Sequence, residues 1–109
     1  MSQYFPQPAD AGRHVIFGNV PIRTYAGEHL QLSLVDIPPG AVIDWHQHPN
    51  EQMGMVLAGR ALFFIGDEHR ELAAGAVYWM PANTPHRVVA LDEPVQALDV
   101  FYPIRPEYR

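Results

Sequence analysis

Residues 40–59 read G-A-V-I-D-W-H-Q-H-P-N-E-Q-M-G-M-V-L-A-G. His46 and His48 stand two residues apart in an apolar, strand-like run. A strand has a side-chain period of two, so both imidazoles are expected on one face. Pro49-Asn50 is a turn signal, and Gln52 opens a second apolar run from Met53 to Ala58. Two imidazoles on one strand with a polar group on the return strand form a candidate metal site.

The remaining composition limits what that site can be. A chain of 109 residues with 48% apolar content is one domain. It can bury roughly two-thirds of its extended surface. Cysteine is absent, so thiolate ligands, disulfides and cysteine nucleophiles are excluded. Any metal must be held by nitrogen and oxygen. All seven basic residues are arginine, which removes a lysine Schiff base or lysine general base. A net charge of −5 gives no electrostatic footprint for nucleic acid. No apolar run approaches the roughly 20 residues that span a bilayer, and no targeting segment is evident at Met1–Pro6. No membrane association and a cytoplasmic location are the expectations.

Eleven Pro and eight Gly are spaced along the chain, as in a fold of short strands and tight turns. Met1–Gly12 lacks periodicity and reads as an N-terminal arm, which leaves a domain of residues 13–109. Strands are predicted at 13–17, 20–25, 30–37, 41–48, 52–58, 60–65, 69–72, 76–80, 87–91 and 95–102. The runs at 52–58 and 60–65 flank Gly59 and read as a hairpin. No helical period is sustained over ten residues. About ten strands without helices predict an antiparallel all-β sandwich or barrel.

Gly40, His46, His48, Gln52 and Gly59 fall in the register G-x5-H-x-H-x3-E-x6-G, with glutamine at the acidic position. Gly75, Pro81 and His86 fall in G-x5-P-x-G-x2-H-x3-N, with Asn83 at the inner glycine and Ala90 at the last position. Fifteen residues separate Gly59 from Gly75. These two motifs resemble those of the cupin superfamily. The resemblance implies a single small jelly-roll β-barrel, a homodimer, and a divalent metal (Ni, Zn, Fe(II), Mn or Co) held by His46, His48, Gln52 and His86. Asn83 can take the left-handed backbone that the motif glycine supplies. Glu51 is one residue out of register and is expected to point away from the histidines. Gln52 is thus the fourth candidate, or a polar bystander to a three-histidine site. Either way the ligands are neutral, which favours polarising oxygens over redox cycling. His14, His29 and His69 lie near turns or charged neighbours and read as ordinary surface histidines.

Val95, Ala97, Asp99 and Phe101 share one face of the last strand, so Asp99 is a carboxylate on an apolar face. A buried acid needs a partner or a task. Arg105 is the candidate partner for a structural Asp99–Arg105 bridge. In the second reading Asp99 is an acid/base group and Arg105 binds a carboxylate. Tyr78, Met53, Met55, Phe63 and Trp79 read as packing residues. The H-x-H-P-x-E-Q form and the ending L-D-V-F-Y-P-I-R are similar to the KdgF-type pectin-degradation branch of the cupins. That resemblance implies linearisation of 4,5-unsaturated uronates, a small carboxylate substrate, and roles for Asp99, Phe101 and Arg105. The rival classes are a non-haem metal dioxygenase and a non-catalytic ligand- or metal-binding cupin.

Overall fold

The computed structural model describes residues 4–109, so Met1–Gln3 of the expected arm lie outside the described residues. Ten strands are found among the described residues, with two single-turn 3-10 helices at Pro8–Asp10 and Pro106–Tyr108. The strands are β1 (Gly12–Ile16), β2 (Val20–Ala26), β3 (Gln31–Ile37), β4 (Val42–His46), β5 (Glu51–Ala58), β6 (Arg60–Ile65), β7 (Glu68–Ala73), β8 (Val77–Met80), β9 (His86–Ala90) and β10 (Val95–Tyr102). They form a six-stranded sheet ordered β1-β2-β3-β10-β5-β8 and a four-stranded sheet ordered β4-β9-β6-β7. All pairings among the described residues are antiparallel. The core lies between the sheets, as expected of an all-β jelly roll.

Alternation decides what enters that core. In β3, Gln31, Ser33, Val35 and Ile37 are buried, and in β10 Val95, Ala97, Asp99 and Phe101 are buried. Register then sorts the interior into rows across the six-stranded sheet. Ile22, Val35, Ala97 and Val56 make an apolar row. The next inward row is Thr24, Ser33, Asp99, Gly54 and Tyr78. Beyond it come Gln31, Phe101, Gln52 and Met80. One end of the interior is therefore hydrocarbon, where each fully buried large side chain contributes about 1.5–3 kcal/mol. The other end is polar.

The expected hairpin at Gly59 is not formed. β5 lies in the six-stranded sheet and β6 in the four-stranded sheet, so Gly59 is the corner where the chain changes sheets. Its φ is +80°, and a Cβ there would collide with the Pro94 carbonyl oxygen. A glycine between two apolar runs marks a reversal in either case, and the local sequence does not say which. Phe63 and Tyr78 point inward, whereas Met53, Met55 and Trp79 lie on the outer face of the larger sheet.

Candidate metal centre

β4 does not extend to His48 as expected; it ends at His46 after a register shift between Ile43 and His46. The two histidines converge because the chain turns at the strand end, not because one straight strand carries both. His46 is the direct cross-strand partner of His86, the first residue of β9. Their ring centroids lie 4.2 Å apart, and that of His48 lies 5.0 Å from His86. One ring nitrogen from each of the three falls within 4.8 Å of the others. Asn83 takes φ +60° in the loop ahead of His86, the conformation expected of it. His14, His29 and His69 stay out of this cluster: they meet the Arg109 carbonyl, Glu28 and the Phe64 ring.

The hydrogen bonds fix which nitrogen each ring presents. Nδ1 of His46 faces the Asp44 carbonyl at 2.8 Å, that of His48 the Asn50 carbonyl at 3.0 Å, and that of His86 the Thr84 carbonyl at 2.8 Å. A carbonyl only accepts, so each Nδ1 carries the proton and each Nε2 is left with its lone pair. Burial lowers all three pKa values, that of His86 to about 4, and so favours neutral rings. Nε2 of His86 is buried without a hydrogen-bond partner among the described residues. Nε2 of His48 lies 3.0 Å from Oε1 of Gln52. Two acceptor atoms facing each other at that distance call for a cation between or beside them. The donor set therefore fits a divalent transition metal. Glu51 is exposed and accepts a hydrogen bond from Trp79 Nε1, away from the cluster.

Asp99 is buried beside this cluster, but it does not bridge to Arg105. The Tyr78 hydroxyl donates to its Oδ1 at 2.5 Å, and Gln52 donates to it as well. Burial raises its pKa to about 6 against the pull of those two donors. Burial and the Asp99 charge raise that of Tyr78, which stays a protonated donor. Tyr78 reaches Asp99 across β5, where Gly54 stands opposite both. A Cβ on Gly54 would overlap the Asp99 Oδ1 and the end of the Tyr78 ring. From sequence, Tyr78 reads only as packing. The signal for more is the buried acid itself, which needs a donor on an inward position nearby.

Arg105 pairs with Glu107 at 2.8 Å and keeps a side chain 14% exposed. Its guanidinium carbon sits 4.2 Å from the Tyr108 ring centroid and 5.4 Å from that of Phe101. Two residues that the sequence did not single out hold it there. Buried Gln31 exchanges two hydrogen bonds with the Arg105 main chain, and buried Asn50 donates to the Pro103 carbonyl at 2.6 Å. His46, Gln52, His86, Asp99, Phe101 and Arg105 all line one cavity of about 50 Å³. That is room for an ion and its nearest water, with larger molecules confined to the mouth.

Comparison with known proteins agrees with this geometry. Dimethylsulfoniopropionate lyase DddQ of Ruegeria pomeroyi is 35% identical over 75 residues, covering 68% of this chain and 37% of that protein. H2HPP isomerase of Bacillus subtilis is 30% identical over 101 residues, covering 89% of this chain and 41% of that protein. The chain thus spans about two-fifths of the length of these relatives. The solved structure of KdgF from Halomonas sp. superposes with a TM-score of 0.81 at 27% identity, covering 87% of this chain and 90% of that one. The cupin domain family matches residues 33–101, which include all three histidines and Gln52. Two facing sheets, a converging histidine triad at one end and this match together establish that the chain belongs to the cupin domain family.

Proposed function

We propose that this protein is a divalent-metal enzyme that opens the ring of 4,5-unsaturated uronates. One observation carries the reading: neutral donors from His46, His48, His86 and Gln52 meet beside a cavity that Asp99, Phe101 and Arg105 also line. The likeness to KdgF over nearly the whole of both chains supports it, as do relatives named as a lyase and an isomerase. The three histidines hold the metal, with Gln52 as fourth donor. Bound there, a divalent ion supplies Lewis-acid polarisation of substrate oxygens.

The chain's own residues do the rest. Arg105 binds the substrate carboxylate at the mouth through guanidinium N–H groups that Glu107 leaves free. The Phe101 and Tyr108 rings lie against the guanidinium and hold it in place. Asp99 takes the proton of the anomeric hydroxyl as the C1–O5 bond breaks. The enolate released at C4–C5 takes that proton back from Asp99 at C4, which leaves an aldehyde at C1 and a ketone at C5. No atoms are gained or lost. The interior of about 50 Å³ excludes the sugar ring, so only its reacting edge meets the donors.

Metal-loaded protein mixed with an unsaturated uronate should bleach the absorbance of the conjugated double bond faster than buffer does. Equal rates for wild type and Asp99→Asn would sink the proposal. The neutral donor set speaks against the dioxygenase class. A purely binding role would gain weight from an Asp99 sealed against Arg105 with no cavity, and Asp99 instead bonds to Tyr78 and lines a small cavity.

A further inference from the structure

A carboxamide has a donor end and an acceptor end of nearly equal size, so its neighbours decide which way it faces. Gln52 has two such neighbours. One is Nε2 of His48, 3.0 Å from Oε1. The other is Asp99, its inward diagonal neighbour on β10, which lines the same cavity and takes a hydrogen bond from the Gln52 side chain. With Nδ1 of His48 committed to the Asn50 carbonyl, the contact with Oε1 sets lone pair against lone pair. Turning the amide over would relieve it by donating to His48. The amide does not turn because an ionised carboxylate only accepts, and it requires the amide nitrogen. We infer that Asp99 is a positioning residue that holds the Gln52 amide with its oxygen toward the histidines, ready for a metal.

The support behind Asp99 is built for this. Tyr78 donates to Oδ1 at 2.5 Å from two strands away, through the gap over Gly54. The carboxylate is thereby fixed from behind and turned toward Gln52. The same arrangement accounts for glutamine where the cupin motif has glutamate. A carboxylate at position 52 would face the Asp99 carboxylate with no donor between them. Glutamine at 52 and an acid at 99 are thus one unit, and exchanging the two functional groups keeps the same hydrogen bonds. After the exchange, an amide at position 99 would donate to a carboxylate at position 52 and still accept from Tyr78. This role precedes any turnover and rests on the reading of Gln52 as the fourth donor.

The test measures zinc affinity, by competition with a chromogenic chelator, in wild type, Asp99→Asn, Gln52→Glu and the double variant. Thermal melts of the metal-free proteins check folding. Asp99→Asn frees the amide to turn, so affinity should fall by about 10–100-fold, the usual effect of losing a group that orients a ligand. Its metal-free melting temperature should hold or rise. In the Gln52→Glu background the same Asp99→Asn change should cost less than about twofold, because the hydrogen bonds are regained. Equal costs in the two backgrounds, or no cost in the first, would overturn the inference while leaving the metal site intact. A wild type that binds no zinc overturns both. Uronate turnover is scored separately: a Gln52→Glu variant that turns over, beside a double variant that binds zinc tightly and does not, keeps the positioning role and assigns the proton transfer to Asp99 as well.

Discussion

At the scale of single residues, the site consists of titrating groups whose folded and unfolded states differ. Between pH 6.5 and about 4 the unfolded chain protonates His86 and the folded metal-free chain does not, so stability falls as pH falls through that window. Asp99 acts oppositely. Between about 6 and 3.8 the folded chain holds a proton that the unfolded chain has lost, so stability gains as pH falls. His46 and His48, also lowered, add to the loss. The melting temperature of the metal-free protein should therefore drop from pH 7 to pH 4. His86→Gln should make the drop shallower and Asp99→Asn should make it steeper. A pH profile unchanged by either substitution would contradict the burial described for both groups. The three histidines that the two-motif resemblance picked out do come together, although His46 and His48 converge through a turn and not along one straight strand. The partner of Asp99 was not legible in the sequence. Arg105 is the nearest opposite charge along the chain, but Tyr78 is nearer across the sheet.

At the scale of elements, strand positions were legible because Pro and Gly punctuate them, and β6 and β10 match the expected ranges to the residue. Connections between strands were less so. Pairing depends on contacts far apart in sequence, and Gly59 reads alike as hairpin tip and as corner. Likewise β4 was expected to run through His48, but its register shift ends it at His46. Gly54 shows how one element serves another. On β5 it looks like a weak point, yet its missing side chain is what lets β8 reach β10. Gly54→Ala should cost on the order of 1–3 kcal/mol through overpacking. In a domain of this size that is a fall of several degrees in melting temperature, roughly 4–8 °C per kcal/mol. Gly27→Ala, in an exposed turn whose nearest non-neighbouring atom is 3.4 Å from the new carbon, should stay within about 0.5 kcal/mol. Equal effects at the two positions would refute the role given to Gly54.

At the scale of the whole molecule, the larger sheet turns an apolar face outward. Met53 pairs with Trp79 and Met55 with Val77 across β5 and β8, and the first two are 48% and 54% exposed. Leu32 on β3 continues the patch beyond Val100 of β10. A contiguous apolar surface of this kind is uncommon on a monomer. The expected outcome is a homodimer across this face, measured as twice the chain mass by light scattering. Met53→Glu should shift it toward the monomer at micromolar concentration without touching the histidines, which lie on the other side of the sheet. Wild type running at the mass of one chain would remove this expectation.

The C-terminal segment from Pro103 onward carries a different lesson. Gln31 and Asn50 grip it by its main chain alone, and the barrel's ladders end at Tyr102. A grip on peptide groups is indifferent to the side chains those groups bear. The arginine proposed to meet the substrate therefore sits on a main chain that stays in place when residue 105 is exchanged, while Tyr108, packed against the core, anchors the far end of the segment. In such a design the side chain at position 105 can be varied to alter what the mouth admits, while the histidine centre keeps its place in the barrel.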